Sequence, residues 1–180
     1  PTGIPTNEVP ISDNSNTTTT SSTARLIYEQ GGSGNGLSVY LYNGKAVMHI
    51  WNRNQFLWGI DNNTNQSVWV ESAQNLVNGQ DYIISCHYNN FSTTDPLEIY
   101  VNGRKGIQSP AILADPEDNV GRFYLHTNAI GLGAISGNTL FHFTRQPSSS
   151  GSCAYQGLLA EFIHFHEPEM NEARRVIIEN

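Results

Sequence analysis

The chain has 180 residues, of which 38% are hydrophobic and only 14% are charged, well below the roughly 25% charged residues of typical globular domains. This length predicts one domain with a sizeable core and at most a short tail. The net charge of −7, with 9 Lys and Arg against 16 Asp and Glu, argues against nucleic-acid binding, which needs clustered cations. The sequence contains no apolar run of about 18 residues, so we expect no helix inserted in a membrane.

The first 23 residues have the composition of a leader or linker. Proline occurs three times in the first ten residues, and residues 14–23 form an unbroken tract of Asn, Ser and Thr. Segments rich in Pro, Thr, Ser and Asn are typical of linkers and stalks. Because Thr also favours strands, an edge strand is the alternative. We therefore predict a leader over residues 1–23 and one folded domain over residues 24–180.

From residue 24 onwards, short apolar runs alternate with turn residues, which predicts strands rather than helices. Asn43-Gly44 and Asn102-Gly103 each stand between two such runs, and Asn-Gly is the strongest short signal for a β-hairpin. Both faces of the first hairpin are fairly apolar, so we expect a sheet that is partly covered on each side. The predicted strands are residues 25–30, 37–42, 45–51, 67–72, 81–88, 97–101, 122–127, 129–135, 140–144 and 155–166.

One helix is predicted, at residues 168–179, where Ala173, Val176 and Ile177 share a face. Many short strands followed by one terminal helix predict the fold class. We expect an all-β antiparallel β-sandwich with one short C-terminal helix.

Three segments follow one another in a distinctive order: NGQDYIISCHY at residues 78–88, LEIYVNG at 97–103 and GLLAEFIHF at 157–165. Their order and spacing show a resemblance to the laminin-G-like branch of the concanavalin A-like lectin/glucanase superfamily. It implies a jelly-roll sandwich over about residues 24–178. The sequence departs from the family at residues 12–23, which are polar where the family usually has an apolar strand; that strand is Thr-rich, missing or shared with a neighbour. Since this fold carries lectins, adhesion modules, glycosidases and lyases, the function has to be argued from a site.

A stretch at residues 49–63 interleaves two tryptophans with Asn, Arg, Gln and Asp. An aromatic face packs against the apolar face of a sugar ring, while planar polar side chains bind its hydroxyls. A second, weaker candidate stretch lies at residues 88–91. The alternative is that Trp51 ends a core strand and Trp58 anchors a loop; Trp69 is expected in the core. The candidate carbohydrate-binding residues are Trp51, Asn52, Arg53, Asn54, Trp58, Tyr88, Asn89 and Asn90.

Three loops carry the oxygen-rich side chains that calcium prefers. Members of the resembled family often hold calcium at one rim of the sandwich, which makes calcium the candidate cofactor. The alternative is ordinary turn chemistry, because Asn and Asp favour turns. The candidate calcium ligands are Asp61, Asn63, Asp95, Asp115 and Asp118.

Catalytic signals are weak. Glycosidases of this fold often carry an E-x-D-x-x-E strand, because hydrolysis needs two carboxylates that flank the bond, and this sequence has no such motif. Glu161 stands alone on its predicted strand and is expected to be structural. His164 and His166 share a face, but no third ligand is placed by spacing. Cys86 and Cys153 fit two alternatives, one disulfide or two buried free thiols.

These features predict a non-catalytic lectin-like module, extracellular or on a cell surface, that binds a glycan or polysaccharide through rim loops. Two alternatives stay open. A protein-binding or spacer module of an adhesin would present an exposed apolar patch to its partner. A polysaccharide-cleaving enzyme, either glycosidase or lyase, would gather acid, His and Tyr groups with shifted pKa values in one groove.

Overall fold

The computed structural model describes residues 24–32, 34–52, 66–88, 97–108, 130–139, 141–142, 148–149 and 153–164. These residues form strands, turns and irregular segments, and no helix occurs among them. The strands are β1 (Arg25–Gly31), β2 (Asn35–Tyr42), β3 (Lys45–Asn52), β4 (Gln66–Glu71), β5 (Ile84–Tyr88), β6 (Leu97–Val101), β7 (Arg104–Lys105), β8 (Ile107–Gln108), β9 (Ile130–Leu132), β10 (Asn138–Thr139) and β11 (Ser148–Ser149).

The strands form antiparallel sheets. The larger sheet has six strands in the order β8-β4-β3-β2-β1-β9, a second sheet has the order β5-β6-β7, and β10 pairs with β11. Every pairing between these strands is antiparallel. The prediction of an all-β antiparallel fold is therefore confirmed for the described part of the chain. Within that part, no helix is long and apolar enough to span a membrane.

Both predicted Asn-Gly hairpins are present. Asn43 and Gly44 have φ of 48° and 74°, and Asn102 and Gly103 have φ of 49° and 76°. Left-handed φ at both central residues is the signature of the tight turn that matches the twist of the flanking strands. These turns join β2 to β3 and β6 to β7, and thereby fix the register of each pair.

The two larger sheets contribute side chains to one hydrophobic cluster, an arrangement compatible with a β-sandwich. On β6, Leu97, Ile99 and Val101 are buried while Glu98 and Tyr100 are half-buried, which is the alternation of a strand with one face in a core. The three buried side chains of β6 join one hydrophobic cluster with apolar side chains of β1 to β4.

The six-stranded sheet is also covered on its other face. There Leu26, Tyr40 and Val47 form a second cluster with Ile135, Phe141 and Cys153. β2 is accordingly buried at seven of its eight positions, as expected for a strand with apolar residues on both faces. We call the side that carries Tyr40 the covered face.

Residues 155–164 do not form the predicted strand. Ala154 makes one isolated bridge to Leu26, and Leu158 and Ile163 are exposed. β9 occupies the edge of β1 at Tyr28–Gln30, so the pairing of this segment with β1 is limited to the bridge at Leu26, whose N–H donates to the Cys153 carbonyl. The segment contacts the sheet through side chains instead, with Phe162 stacked on Tyr28 at 5.1 Å between ring centroids.

Other predictions differ in detail or are untested. The predicted strand at 129–135 is shortened to β9 because Gly133, at φ 74°, turns the chain away, and residues 141–142 are not in a strand. Cys86 and Cys153 are not joined by a disulfide. The leader at 1–23, the strand at 122–127 and the helix at 168–179 lie outside the described residues and stay predictions.

The close approach of β2 to Trp51 makes a prediction about stability. A Cβ added at Gly36 would clash with the Trp51 ring, whereas one added at Gly137 would meet nothing within 4 Å. We expect Gly36→Ala to lower the free energy of unfolding by about 1–3 kcal/mol, the usual cost of overpacking. Gly137→Ala is the matched control, and urea denaturation measures both. Equal stabilities of the two variants would contradict this packing.

Candidate functional site

A row of polar side chains crosses the covered face. Glu29 lies opposite Ser38, Ser38 opposite His49, and His49 opposite Trp69. Directly opposed residues on neighbouring strands share a face and contact each other. Glu29, Ser38 and His49 are buried, while Trp69 is half-buried. The row therefore leads from the interior of the sheet to its accessible side on β4.

Glu29 ties β1 to the segment that covers it. Its Oε1 accepts hydrogen bonds from the backbone N–H groups of Ser136 and Gly137, at 2.6 and 3.2 Å. Burial raises the pKa of the Glu29 carboxyl, and these two hydrogen bonds oppose that rise. Within the described residues, neither Oε2 of Glu29 nor Oγ1 of Thr139 has a hydrogen-bond partner. Burial therefore outweighs the two hydrogen bonds in its effect on the pKa of this carboxyl.

Tyr40 and His142 form a buried pair. The Tyr40 hydroxyl accepts a hydrogen bond from the backbone N–H of His142 at 3.0 Å, and lies 2.5 Å from His142 Nδ1. Burial lowers the pKa of His142 to about 4, so the imidazole is neutral at pH 7 and Nδ1 accepts the hydroxyl proton. Burial also raises the pKa of Tyr40, which keeps that proton in place. The pair thereby fixes the orientation of the imidazole ring.

The half-buried rings of Trp69 and Tyr42 meet at this imidazole. His142 stacks on Trp69 with 5.0 Å between ring centroids and 24° between planes, and Tyr42 approaches it edge-on at 5.4 Å and 84°. We call Tyr42, Trp69 and His142 the aromatic patch. Stacked and edge-on contacts are the favoured arrangements of aromatic rings. The patch is therefore a fixed surface on the covered face of the sheet.

Two charged side chains border the aromatic patch. Glu71 follows Trp69 by two residues on β4, which places both on one face. Lys45 lies opposite Tyr42, and its ammonium donates to the backbone carbonyls of Ser72 and Ala73 at 2.9 and 3.1 Å. The patch thus combines aromatic surface with a carboxylate acceptor and an ammonium held by backbone carbonyls.

Trp51, predicted to bind sugar, lies inside the protein. It is 1% exposed, its Nε1 donates to the carbonyl of Gly32 at 2.8 Å, and its ring stacks on His49 at 5.4 Å. These contacts match the alternative interpretation, in which Trp51 ends a core strand. In this position its ring supports the polar row and presents no face to a ligand.

Of the predicted sugar-binding residues, the described part of the chain includes Trp51, Asn52 and Tyr88, and Tyr88 lies apart from the other two. Asn52 ends β3 opposite Gln66. Tyr88 packs against the core between the two sheets, on the opposite side of the six-stranded sheet from Trp51. The remaining predicted contacts lie outside the described residues and stay predictions: Arg53, Asn54, Trp58, Asn89 and Asn90.

The calcium prediction is likewise untested. Its candidate ligands all lie outside the described residues: Asp61, Asn63, Asp95, Asp115 and Asp118. Within the described ranges, no group of three or more His, Cys, Asp and Glu side chains could hold a metal ion.

The covered face does gather acid, His and Tyr groups with shifted pKa values, as a polysaccharide-cleaving enzyme requires. However, Glu29 and Tyr40 are each 0% exposed, so a substrate cannot reach them. Their pKa values are raised chiefly by burial. In this arrangement the buried groups hold the covering segment and orient His142. Glu161 and His164 are exposed, and His164 lies edge-on to Tyr28 at 6.2 Å.

Comparisons with protein-family models, with curated proteins and with solved structures find no match to this chain. The resemblance to laminin-G-like domains therefore rests on the order of the sequence segments and on the antiparallel arrangement of the sheets.

The burial of His142 predicts a pH-dependent stability. The unfolded chain binds a proton on His142 near its ordinary pKa of 6.5, while the folded chain does so only at about 4. Stability from this residue is complete above pH 6.5 and is lost as the pH falls towards 4, by about 3 kcal/mol. Urea denaturation between pH 7 and 4 measures this loss, and His142→Gln should flatten the slope. An unchanged slope in the variant would assign the loss to other groups.

Glu29 predicts the opposite trend. Because its pKa is raised in the folded state, its contribution to stability is present at low pH and is lost as the pH rises through the folded pKa. Glu29→Gln keeps an oxygen acceptor at this position without the charge. We expect the stability of the variant relative to wild type to increase from pH 4 to pH 8. Urea denaturation measures this difference. A constant difference across that range would show that the carboxyl has the same pKa in the folded and unfolded states.

Proposed function

We propose that this chain is an extracellular or cell-surface, non-catalytic module that binds carbohydrate, built as a jelly-roll sandwich of the concanavalin A-like type. The aromatic patch is the observation that carries the proposal. Its half-buried Trp69 is held by the neutral imidazole of His142, which the Tyr40 hydroxyl fixes in turn. A surface held rigid before binding loses little conformational entropy when a ligand arrives.

The chemistry of the aromatic patch suits a sugar. A pyranose ring has an apolar face, which an indole or phenol ring can cover, and a rim of hydroxyls that need hydrogen-bond partners. Glu71 supplies a carboxylate acceptor, and Tyr42 supplies a hydroxyl. Ligand sites commonly combine aromatic lining with a few placed polar groups in this way.

The candidate loop from the sequence starts close to this patch. The connection from β3 to β4 leaves the sheet at Asn52 and returns at Gln66, three residues before Trp69. At about 3.3 Å per residue, the end of the loop is about 10 Å from the patch. The proposal therefore keeps Arg53, Asn54 and Trp58 as contacts to a sugar that extends beyond the patch, with Trp51 as a buried support.

Trp69→Ala tests the proposal. We expect wild-type protein to bind immobilised glycans and Trp69→Ala to bind the same glycans at least tenfold more weakly, about 1.4 kcal/mol, because the stacking ring is gone. Trp69→Phe should recover part of the binding. Tyr100→Ala is the control, since Tyr100 is a half-buried aromatic residue on the other sheet.

The glycan array should be run in calcium and again in chelator. Binding at the aromatic patch should survive chelation, because the described residues at its border include a single carboxylate, Glu71. Binding lost in chelator would place the decisive contacts in the calcium-candidate loops, at Asp61 and Asn63 or beyond. Absence of glycan binding in both conditions would contradict the proposed function.

A second candidate function is protein binding, and exposed apolar side chains favour it. On edge strand β9, Ile130 and Leu132 are 56% and 50% exposed, and Leu132 lies opposite Tyr28, which stacks on the half-exposed Phe162. In the described part of the chain, no strand pairs with the outer edge of β9. Edge strands with exposed apolar side chains are typical sites of strand addition.

A second copy of the chain is the partner that can be tested directly. Sedimentation should show concentration-dependent association that Leu132→Lys removes, because the charge would be buried in the contact. Val77→Lys is the control, at a residue that is exposed to a similar degree. A wild-type monomer at high concentration would exclude self-association through β9.

A further inference from the structure

We infer that the aromatic patch selects uncharged glycans over acidic ones, and that Glu71 is the residue that imposes this selection. The inference rests on the proposed function, because it names the class of glycan that the same surface would take. It goes beyond that function by assigning the sign of charge that the surface tolerates.

The position of Glu71 is the first step. Glu71 lies opposite Val47, on the face that carries Trp69, and is half-buried. Among the described residues, the ion pairs involve Glu98 with His87 and Lys105 and do not include Glu71. The pKa of Tyr40 is raised chiefly by burial. The charges of Tyr42 and Glu71 raise it further. A ligand on Trp69 would therefore lie next to the Glu71 carboxylate.

Among the described residues, the cations leave few free donors for direct pairing with an acidic ligand. The Lys45 ammonium carries three donors, and two of them are directed at the carbonyls of Ser72 and Ala73. Of the other Lys and Arg residues in the described ranges, Arg104 and Lys105 lie on β7 in the second sheet. Arg25 donates to the carbonyl of Ala24 at the start of β1.

The two ligand classes respond oppositely to this arrangement. The hydroxyls of a neutral sugar can donate charge-assisted hydrogen bonds to the Glu71 carboxylate, and such bonds are stronger than neutral ones. The carboxylate or sulfate of an acidic glycan would face Glu71 as a like charge, which is unfavourable in partly desolvated surroundings. The net charge of −7 adds long-range repulsion of a polyanion.

The experiment compares matched neutral and acidic glycans. On the glycan array, wild-type protein should bind neutral members and not their uronate or sulfated counterparts. In solution, affinity electrophoresis compares hydroxyethyl cellulose with carboxymethyl cellulose, and dextran with carboxymethyl dextran. We expect at least fivefold weaker binding to the acidic member of whichever pair is bound, at 50 mM NaCl. This ratio should shrink at 500 mM NaCl, where charges are screened over a few ångströms.

Glu71→Gln separates the selection from binding itself. The amide keeps an oxygen acceptor but removes the charge, so the variant should retain binding to the neutral glycan while the neutral-to-acidic ratio falls towards one. Lys45→Gln is the control of opposite sign and should not reduce the ratio. Urea denaturation of each variant confirms that it is folded.

The outcomes distinguish the inference from the proposed function. Wild-type binding to acidic glycans as tight as to neutral ones would overturn the inference and leave carbohydrate binding intact. An unchanged ratio in Glu71→Gln would overturn the role of Glu71. Binding to no glycan on the array and to none of the four polymers would overturn the proposed function, and the inference with it.

Discussion

The contact between Tyr40 and His142 is the interaction on which the covered face depends. Tyr40 projects from the centre of the six-stranded sheet, where its hydroxyl is fully buried and must find partners. A residue 102 positions later supplies both, through its backbone N–H and its ring nitrogen. The same contact holds the imidazole in the orientation that stacks on Trp69 and meets Tyr42. The accessible aromatic surface is therefore a consequence of satisfying one buried hydroxyl.

Covering both faces of one sheet also explains the buried polar groups. A sheet with a single covered face can turn its polar side chains to water, whereas Glu29 and Ser38 are enclosed. Glu29 uses one oxygen to hold the covering turn at Ser136, and its burial disfavours the charged form. His142 is disfavoured in its charged form for the same reason. Burial acts against the charged form of both groups, and because one is an acid and the other a base, their pH dependences run in opposite directions.

The hairpins could be predicted from sequence because their signals are local. Asn43-Gly44 and Asn102-Gly103 each specify a turn by the backbone conformation that the two residues allow. The aromatic patch could not be predicted in this way, because it depends on register between strands far apart in sequence. The sequence around Trp51 does not indicate that Gly36 lies opposite it on β2 and leaves room for its ring. Likewise, the β-rich composition of residues 155–164 contains no information on whether a strand edge is free to pair with them.

The two candidate surfaces lie on opposite faces of the six-stranded sheet. The aromatic patch is on the covered face with Tyr40. Leu132 lies opposite Tyr28, whose ring belongs to the core between the sheets, so the apolar side chains around β9 are on the other face. Ligands on these surfaces would not compete for the same residues. Carbohydrate binding and protein association are therefore compatible in one molecule, and such a module could hold a glycan on one side and a neighbouring chain at its edge.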